Sequence, residues 1–137
     1  MRNSLPLIYS GQEEPVLDSI SFFYKNPIKF GKYSRAAFYK TLLELRKSSA
    51  ALATDASFTK VKTGDAKSVY AYTREKNGHK ILVILNLSPK PQVIQPDAPD
   101  LAGEVINVFT GKKEKIAPGN PLRLEAWGYK VYNYDLK

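Results

Sequence analysis

Glu13 and Glu14 are the first carboxylates in this sequence, and they stand side by side. Acid–base work on one bond needs two groups that approach it from different sides with separated pKa values. Neighbouring residues do not easily reach opposite sides of a bond, so Glu13 or Glu14 is expected to hold its loop through hydrogen bonds. Asp18 and Asp55 are expected at the surface or as caps. His79 is the only histidine, so a Ser-His-Asp arrangement would depend on it; its place beside a turn predicts an exposed polar residue. No cysteine is present, which removes disulfide frameworks, thiolate metal sites and a cysteine nucleophile together. No residues have metal-ligand spacing, and no cofactor is expected. Flat rings remain. Trp127, Tyr129, Tyr132 and Tyr134 crowd the end of the chain and could stack on sugar rings, although core packing is the commoner fate of such rings.

The element that positions these residues is a hairpin about Asn77-Gly78, a dipeptide suited to a two-residue turn in which both central residues have positive φ. The turn fixes the register. It sets Lys76 against His79, Glu75 against Lys80, Tyr72 against Val83, Ala71 against Ile84 and Tyr70 against Leu85, pairs that sheets favour. Ile81, Val83, Leu85 and Leu87 take one face of the returning strand and Leu82 and Ile84 the other. Neither face suits water, so this is an inner strand. Further strands are expected at 57–62, 92–95, 104–109, 122–126 and 129–134, punctuated by Gly64-Asp65, Pro96 to Pro99, Thr110-Gly111 and Pro118 to Pro121. Short strands at this spacing read as an antiparallel sandwich.

Before the strands, Ser34 is a good N-cap for a helix over 35–48, with Phe38, Leu42 and Leu45 on one stripe widened by Tyr39 and Leu43. Such a helix needs a partner. Residues 5–9, Leu-Pro-Leu-Ile-Tyr, form an apolar run without alternation, as in a parallel strand buried on both faces. Nothing else in the sequence could be its parallel neighbour. Residues 12–31 carry Ile20, Phe22, Phe23, Ile28 and Phe30 with no convincing period, a long loop of the kind that is functional or belongs to a larger assembly.

Length and charge bound the partners. A chain of 137 residues has room for one domain with a real core, or that domain plus a piece of another. Its net charge of +8 is spread along the chain, with Lys112-Lys113-Glu114-Lys115 the densest run and few arginines for bidentate phosphate contacts. A solvated basic face is expected, and no nucleic-acid partner. No apolar run approaches the length of a membrane span, and no membrane partner is expected. Asn3, Ser4 and Pro6 interrupt any signal peptide.

Residues 5–14, Leu-Pro-Leu-Ile-Tyr-Ser-Gly-Gln-Glu-Glu, resemble the eighth barrel strand and following loop of the α-amylase family of glycoside hydrolases, family 13. Residues 21–28, Ser-Phe-Phe-Tyr-Lys-Asn-Pro-Ile, are similar to that family's next segment, with Asn26 where an acid is common and Phe30 where Trp is expected. The helix with Tyr39, Leu42, Leu45 and Arg46 resembles the last barrel helix. Asn86-Leu87-Ser88, Phe109-Thr110-Gly111 and the run from Trp127 to Tyr132 resemble the β domain that follows the barrel.

The resemblance implies a mainly β fold: residues 51–137 an antiparallel β-sandwich, preceded by one helix and, over 1–50, a remnant of a (β/α)8 barrel. It implies structural roles for Pro6, Tyr9, Gly11, Gln12 and Glu13. It also implies that the Asp nucleophile, the Glu acid/base and the third Asp of this retaining family lie on strands upstream of residue 5, so no catalytic residue is expected here. The chain would be a non-catalytic C-terminal fragment whose partner is the absent barrel of an enzyme acting on α-glucans. The alternative is a stand-alone carbohydrate-binding module using the terminal aromatics on an α-glucan. Residues 1–30 are expected to fold back on the helix or to self-associate with a second copy.

Overall fold

The computed structural model describes residues 6–16, 19–64, 67–96 and 99–135. Helix α1 (Ala36–Ser48) precedes eight strands: β1 (Thr59–Val61), β2 (Val69–Lys76), β3 (His79–Asn86), β4 (Gln92–Ile94), β5 (Gly103–Asn107), β6 (Lys113–Ile116), β7 (Leu122–Leu124) and β8 (Tyr129–Asn133). Six strands form one antiparallel sheet in the order β1-β2-β3-β8-β5-β6, and β4 pairs with β7 in a second, two-stranded sheet. The β2–β3 register is the expected one, from Lys76 opposite His79 to Tyr70 opposite Leu85. Asn77 and Gly78 both have positive φ, 52° and 79°, as a primed hairpin turn requires.

β3 is buried on both faces. On one, Leu82 and Ile84 join Ala71, Val105 and Tyr132 against Ile94 of β4 and Leu124 of β7. On the other, Ile81 and Val83 join Val131 against Leu45 of α1 and Ala51. The fold is therefore mainly antiparallel β with one helix, layered as helix, six-stranded sheet and two-stranded sheet. Each fully buried aliphatic side chain contributes about 1.5–3 kcal/mol, so β3 ties both cores together.

Three expectations are corrected. Residues 6–9 form no strand; Leu5 lies outside the described residues. A strand needs neighbours, and no parallel ones exist in the described chain. Ser34 does not cap α1. The N-cap is Arg35, without a side-chain hydrogen bond; the first helical N–H, of Ala36, donates to the Tyr33 carbonyl at 2.9 Å, and the Arg35 N–H to the Glu13 carbonyl at 3.1 Å, which ties the helix start to the N-terminal segment. Finally, residues 113–116, not among the expected strands, form β6, an edge strand whose exposed lysines discourage edge-to-edge pairing.

Candidate functional site

The first described residues fold into a tight turn on their own hydrogen bonds. Gln12 Oε1 accepts the Tyr9 N–H at 2.7 Å, the Gln12 N–H donates to the Tyr9 carbonyl and the Glu14 N–H to the Gly11 carbonyl. Gly11, at φ +88°, lies so close to Ile28 that a Cβ there would stand 2.9 Å from its Cδ1. The positive φ favours glycine, and a side chain there would also have to displace the end of Ile28. Pro6 is half-buried, while Tyr9 and Gln12 are exposed. Of the two glutamates, Glu14 holds the loop: its Oε1 accepts the N–H groups of Gly31, Lys32 and Tyr33 at 2.8, 3.0 and 2.9 Å. Those donors, Tyr33 and Gly31 foremost, hold the carboxyl below its ordinary value, against the opposing effect of its burial. Glu13 contributes its carbonyl to the start of α1.

The loop so fastened presents apolar side chains to solvent. Phe22 and Phe23 meet edge to face at 5.1 Å and Phe30 stacks on Tyr33 at 6.1 Å, yet Phe22 is 92% exposed and Phe23 86%. Leu7, Ile20 and Tyr24 are exposed as well. Between this segment, α1 and the six-stranded sheet lies an apolar groove of about 320 Å³, with Pro6, Leu7 and Ile8 on one wall, Leu42 on the helix and Val83 on the sheet. Within α1 only Leu45 is fully buried; Phe38, Tyr39 and Leu42 are half-buried. Phe38 stacks on Phe109 at 5.5 Å, and both meet Tyr129 edge to face.

The four terminal aromatics divide. The Tyr132 ring is fully buried in the core between the sheets, and its hydroxyl donates to Glu114 Oε2 at 2.8 Å; it has no face free for a sugar. Burial and the Glu114 charge raise its phenol well above the ordinary range. Tyr134 packs against the same core, donates to the Leu101 carbonyl at 2.8 Å, and is pushed up to about 12 by burial and by Asp100. Tyr129 is 45% exposed and Trp127 63%. Trp127 sits at φ 54°, a left-handed conformation that costs a bulky L-residue about 1–2 kcal/mol.

That turn is braced by a residue whose role the sequence hides. Asn86, 2% exposed, donates through Nδ2 to the carbonyls of Lys90 and Glu125 at 2.8 and 2.7 Å. Its Oδ1 accepts from the Ser88 N–H and hydroxyl. Asn-Leu-Ser was the only signal, and it resembles a surface sequence more than a buried clamp.

The remaining candidates are structural. His79 Nδ1 pairs with Asp135 Oδ2 at 2.5 Å, joining the start of β3 to the chain after β8. Asp55 lies at the surface and accepts from Lys76 Nζ at 2.6 Å, which lowers its pKa. Asp18 lies outside the described residues. Among the described residues no cluster of His, Asp and Glu could hold a metal ion.

Residues 58–131, more than half of the chain, match the family model for the maltogenic amylase C-terminal domain. No curated protein matches the chain in sequence. Among solved structures, a noncanonic maltogenic α-amylase, AmyB from Thermotoga neapolitana, superposes with a TM-score of 0.77 at 16% identity over 96% of this chain and 33% of its own. AmyP, in complex with maltose, gives 0.64 at 17% identity over 79% of this chain and 22% of its own. The trehalulose synthase MutB from Pseudomonas mesoacidophila MX-45 gives 0.53 at 24% over 74% and 20%. The chain thus spans a third or less of the length of these enzymes. With the loop motif, the helix and the two-layered β domain in place, the chain belongs to the maltogenic amylase C-terminal domain family and corresponds to the C-terminal part of an α-amylase-type, family 13 enzyme.

Proposed function

We propose that this chain serves an α-amylase-type glycosidase without supplying its catalytic groups. Residues 51–137 are the β domain, and residues 1–50 are the end of the catalytic barrel, with Pro6, Tyr9, Gly11, Gln12 and Glu13 shaping the loop that leaves its last strand. The piece covers one side of the barrel and stabilises it. The parent enzyme hydrolyses α-glucans such as starch or maltooligosaccharides, using paired carboxylates that lie before residue 1.

The observation that carries this reading is the placement of exposed apolar surface. Among the described residues, ten of the fifteen exposed large hydrophobics fall between Leu7 and Tyr33, and Leu43 adds to them on the outside of α1. A large apolar side chain left in water forgoes about 1.5–3 kcal/mol, against a total stability of about 5–15 kcal/mol for a domain. A set of ten calls for a covering partner, and a barrel is the one body that the N-terminal segment, its loop and its helix would share. The names of the similar structures support the substrate class.

The test is to express the polypeptide encoded upstream of this chain separately. We expect a barrel that co-purifies with the chain and gains thermal stability from it, while the chain alone releases no reducing sugar from soluble starch. Starch hydrolysis by the chain alone, or a barrel indifferent to it, would contradict the reading.

A further inference from the structure

We propose that Trp127 is a carbohydrate-stacking platform that takes the apolar face of one glucose unit of an α-linked glucan. Three observations carry it. Trp127 is the only tryptophan in the chain, and among the described residues its ring pairs with no other aromatic and belongs to neither core, though it is 63% exposed. A ring outside both cores thus stands on a left-handed residue, where glycine or asparagine would close the turn at lower cost.

The turn is also rigid. The Trp127 N–H donates to the Ser88 carbonyl at 2.9 Å, the Gly128 N–H to the Glu125 carbonyl at 2.9 Å, and the Asn86 N–H to the Gly128 carbonyl at 2.8 Å. The buried Asn86 side chain holds the Glu125 carbonyl as well. Gly128 has no room for a side chain, since a Cβ would stand 2.8 Å from the Glu125 oxygen. A ring carried on a hydrogen-bonded backbone loses no backbone freedom when it binds, which lowers the entropic cost.

The surroundings decide what it binds. The loop from Leu7 to Tyr33 offers many apolar side chains together and suits a protein partner. Trp127 is a single ring on a turn that also exposes Glu125 and adjoins exposed Lys90, an apolar face with polar groups beside it. That combination matches a pyranose, whose C–H face is apolar and whose edge carries hydroxyls. Tyr129, two residues on, is turned to Phe38 and Phe109 instead, so Trp127 acts alone. The choice of an α-glucan rests on the amylase reading; the platform itself does not.

Because Trp127 is the sole tryptophan, indole emission reports this one site. Titration of the chain with maltoheptaose is expected to give a saturable blue shift and protection from acrylamide quenching, with cellohexaose much weaker. Retardation in an amylose gel should be lost in Trp127→Ala and partly kept in Trp127→Tyr, both with an unchanged denaturation midpoint. Emission unmoved by millimolar maltoheptaose, or retardation surviving Trp127→Ala, would overturn the proposal. So would emission that shifts with protein concentration and not with sugar, which would make the ring a contact between copies. Any of these results leaves the barrel co-purification test standing on its own.

Discussion

The Glu14 carboxylate accepts the backbone N–H of Tyr33, nineteen residues further along the chain, at 2.9 Å. The same oxygen takes the two preceding amides, so one side chain closes the aromatic loop at its base. A charged acceptor on three amides makes stronger hydrogen bonds than neutral partners do. Glu14→Ala should therefore speed hydrogen exchange at the Gly31, Lys32 and Tyr33 amides by about tenfold or more, and open the loop to protease cleavage. Exchange at β3 amides should not change. Glu14→Gln, which keeps an acceptor oxygen without the charge, should fall between.

The same contact gives the loop a pH dependence. A carboxyl whose pKa is lowered in the fold adds stability above its ordinary value of 4.5 and loses it as pH falls through the folded value. The amide proton shifts of Gly31 to Tyr33 should thus titrate together with a midpoint below 4.5, and the loop should become protease-sensitive in acid before the sheet unfolds. A midpoint at or above the ordinary value would contradict the hydrogen-bond geometry.

Asn86 is the residue whose loss should harm the β domain most for its size. Asn86→Ala leaves the Ser88 N–H without its acceptor and takes one of two donors from each of the Lys90 and Glu125 carbonyls, which keep the Ser88 hydroxyl and the Gly128 N–H. An unsatisfied buried polar group costs about 1–3 kcal/mol, and urea denaturation should show a loss of at least that size. Asn86→Asp should be no better, because a carboxylate would face two carbonyl oxygens.

Tyr132→Phe tests the polar network inside the sheet, where Glu114 accepts from both the Tyr132 hydroxyl and the Asn107 amide. Burial alone would raise the Glu114 pKa, but these two donors together with the charges of Lys130 and Lys112 more than offset it. Removing a hydrogen bond to a charged group costs about 1.5–3 kcal/mol, and the partial exposure of Glu114 sets the expected loss near the lower end. In the wild type, the phenols of Tyr132 and Tyr134 are raised from the ordinary value of 10.0. Their contribution is complete below that value and is lost as pH rises beyond it. Spectrophotometric titration should show them ionising only as the protein unfolds in alkali.

Much of this fold is legible in the sequence because local signals and burial agree. Asn77-Gly78 fixes the hairpin, and Ile81 to Ile84 can only belong to a strand covered on both sides. β6 was not legible, because Glu114 points inward to Tyr132 and replaces the apolar residue that alternation leads one to expect beside Ile116. The helix start was not legible either: backbone carbonyls, Tyr33 for the Ala36 N–H and the distant Glu13 for the Arg35 N–H, stand where a Ser34 side-chain cap is expected. The aromatic cluster at the chain end shows the limit most clearly. Spacing groups Trp127, Tyr129, Tyr132 and Tyr134, and only the packing of the two-stranded sheet separates the buried pair from the exposed one.

The central claim is that the surface from Leu7 to Tyr33, with the outer side of α1, is made to be covered by a barrel. Hydrogen–deuterium exchange of this chain, alone and mixed with the separately expressed upstream polypeptide, tests it most directly. The account predicts new protection confined to residues 7–33 and α1, abolished by the double change Phe22→Ser and Phe23→Ser. Protection absent from that segment, or centred on the β4–β7 sheet instead, would contradict it.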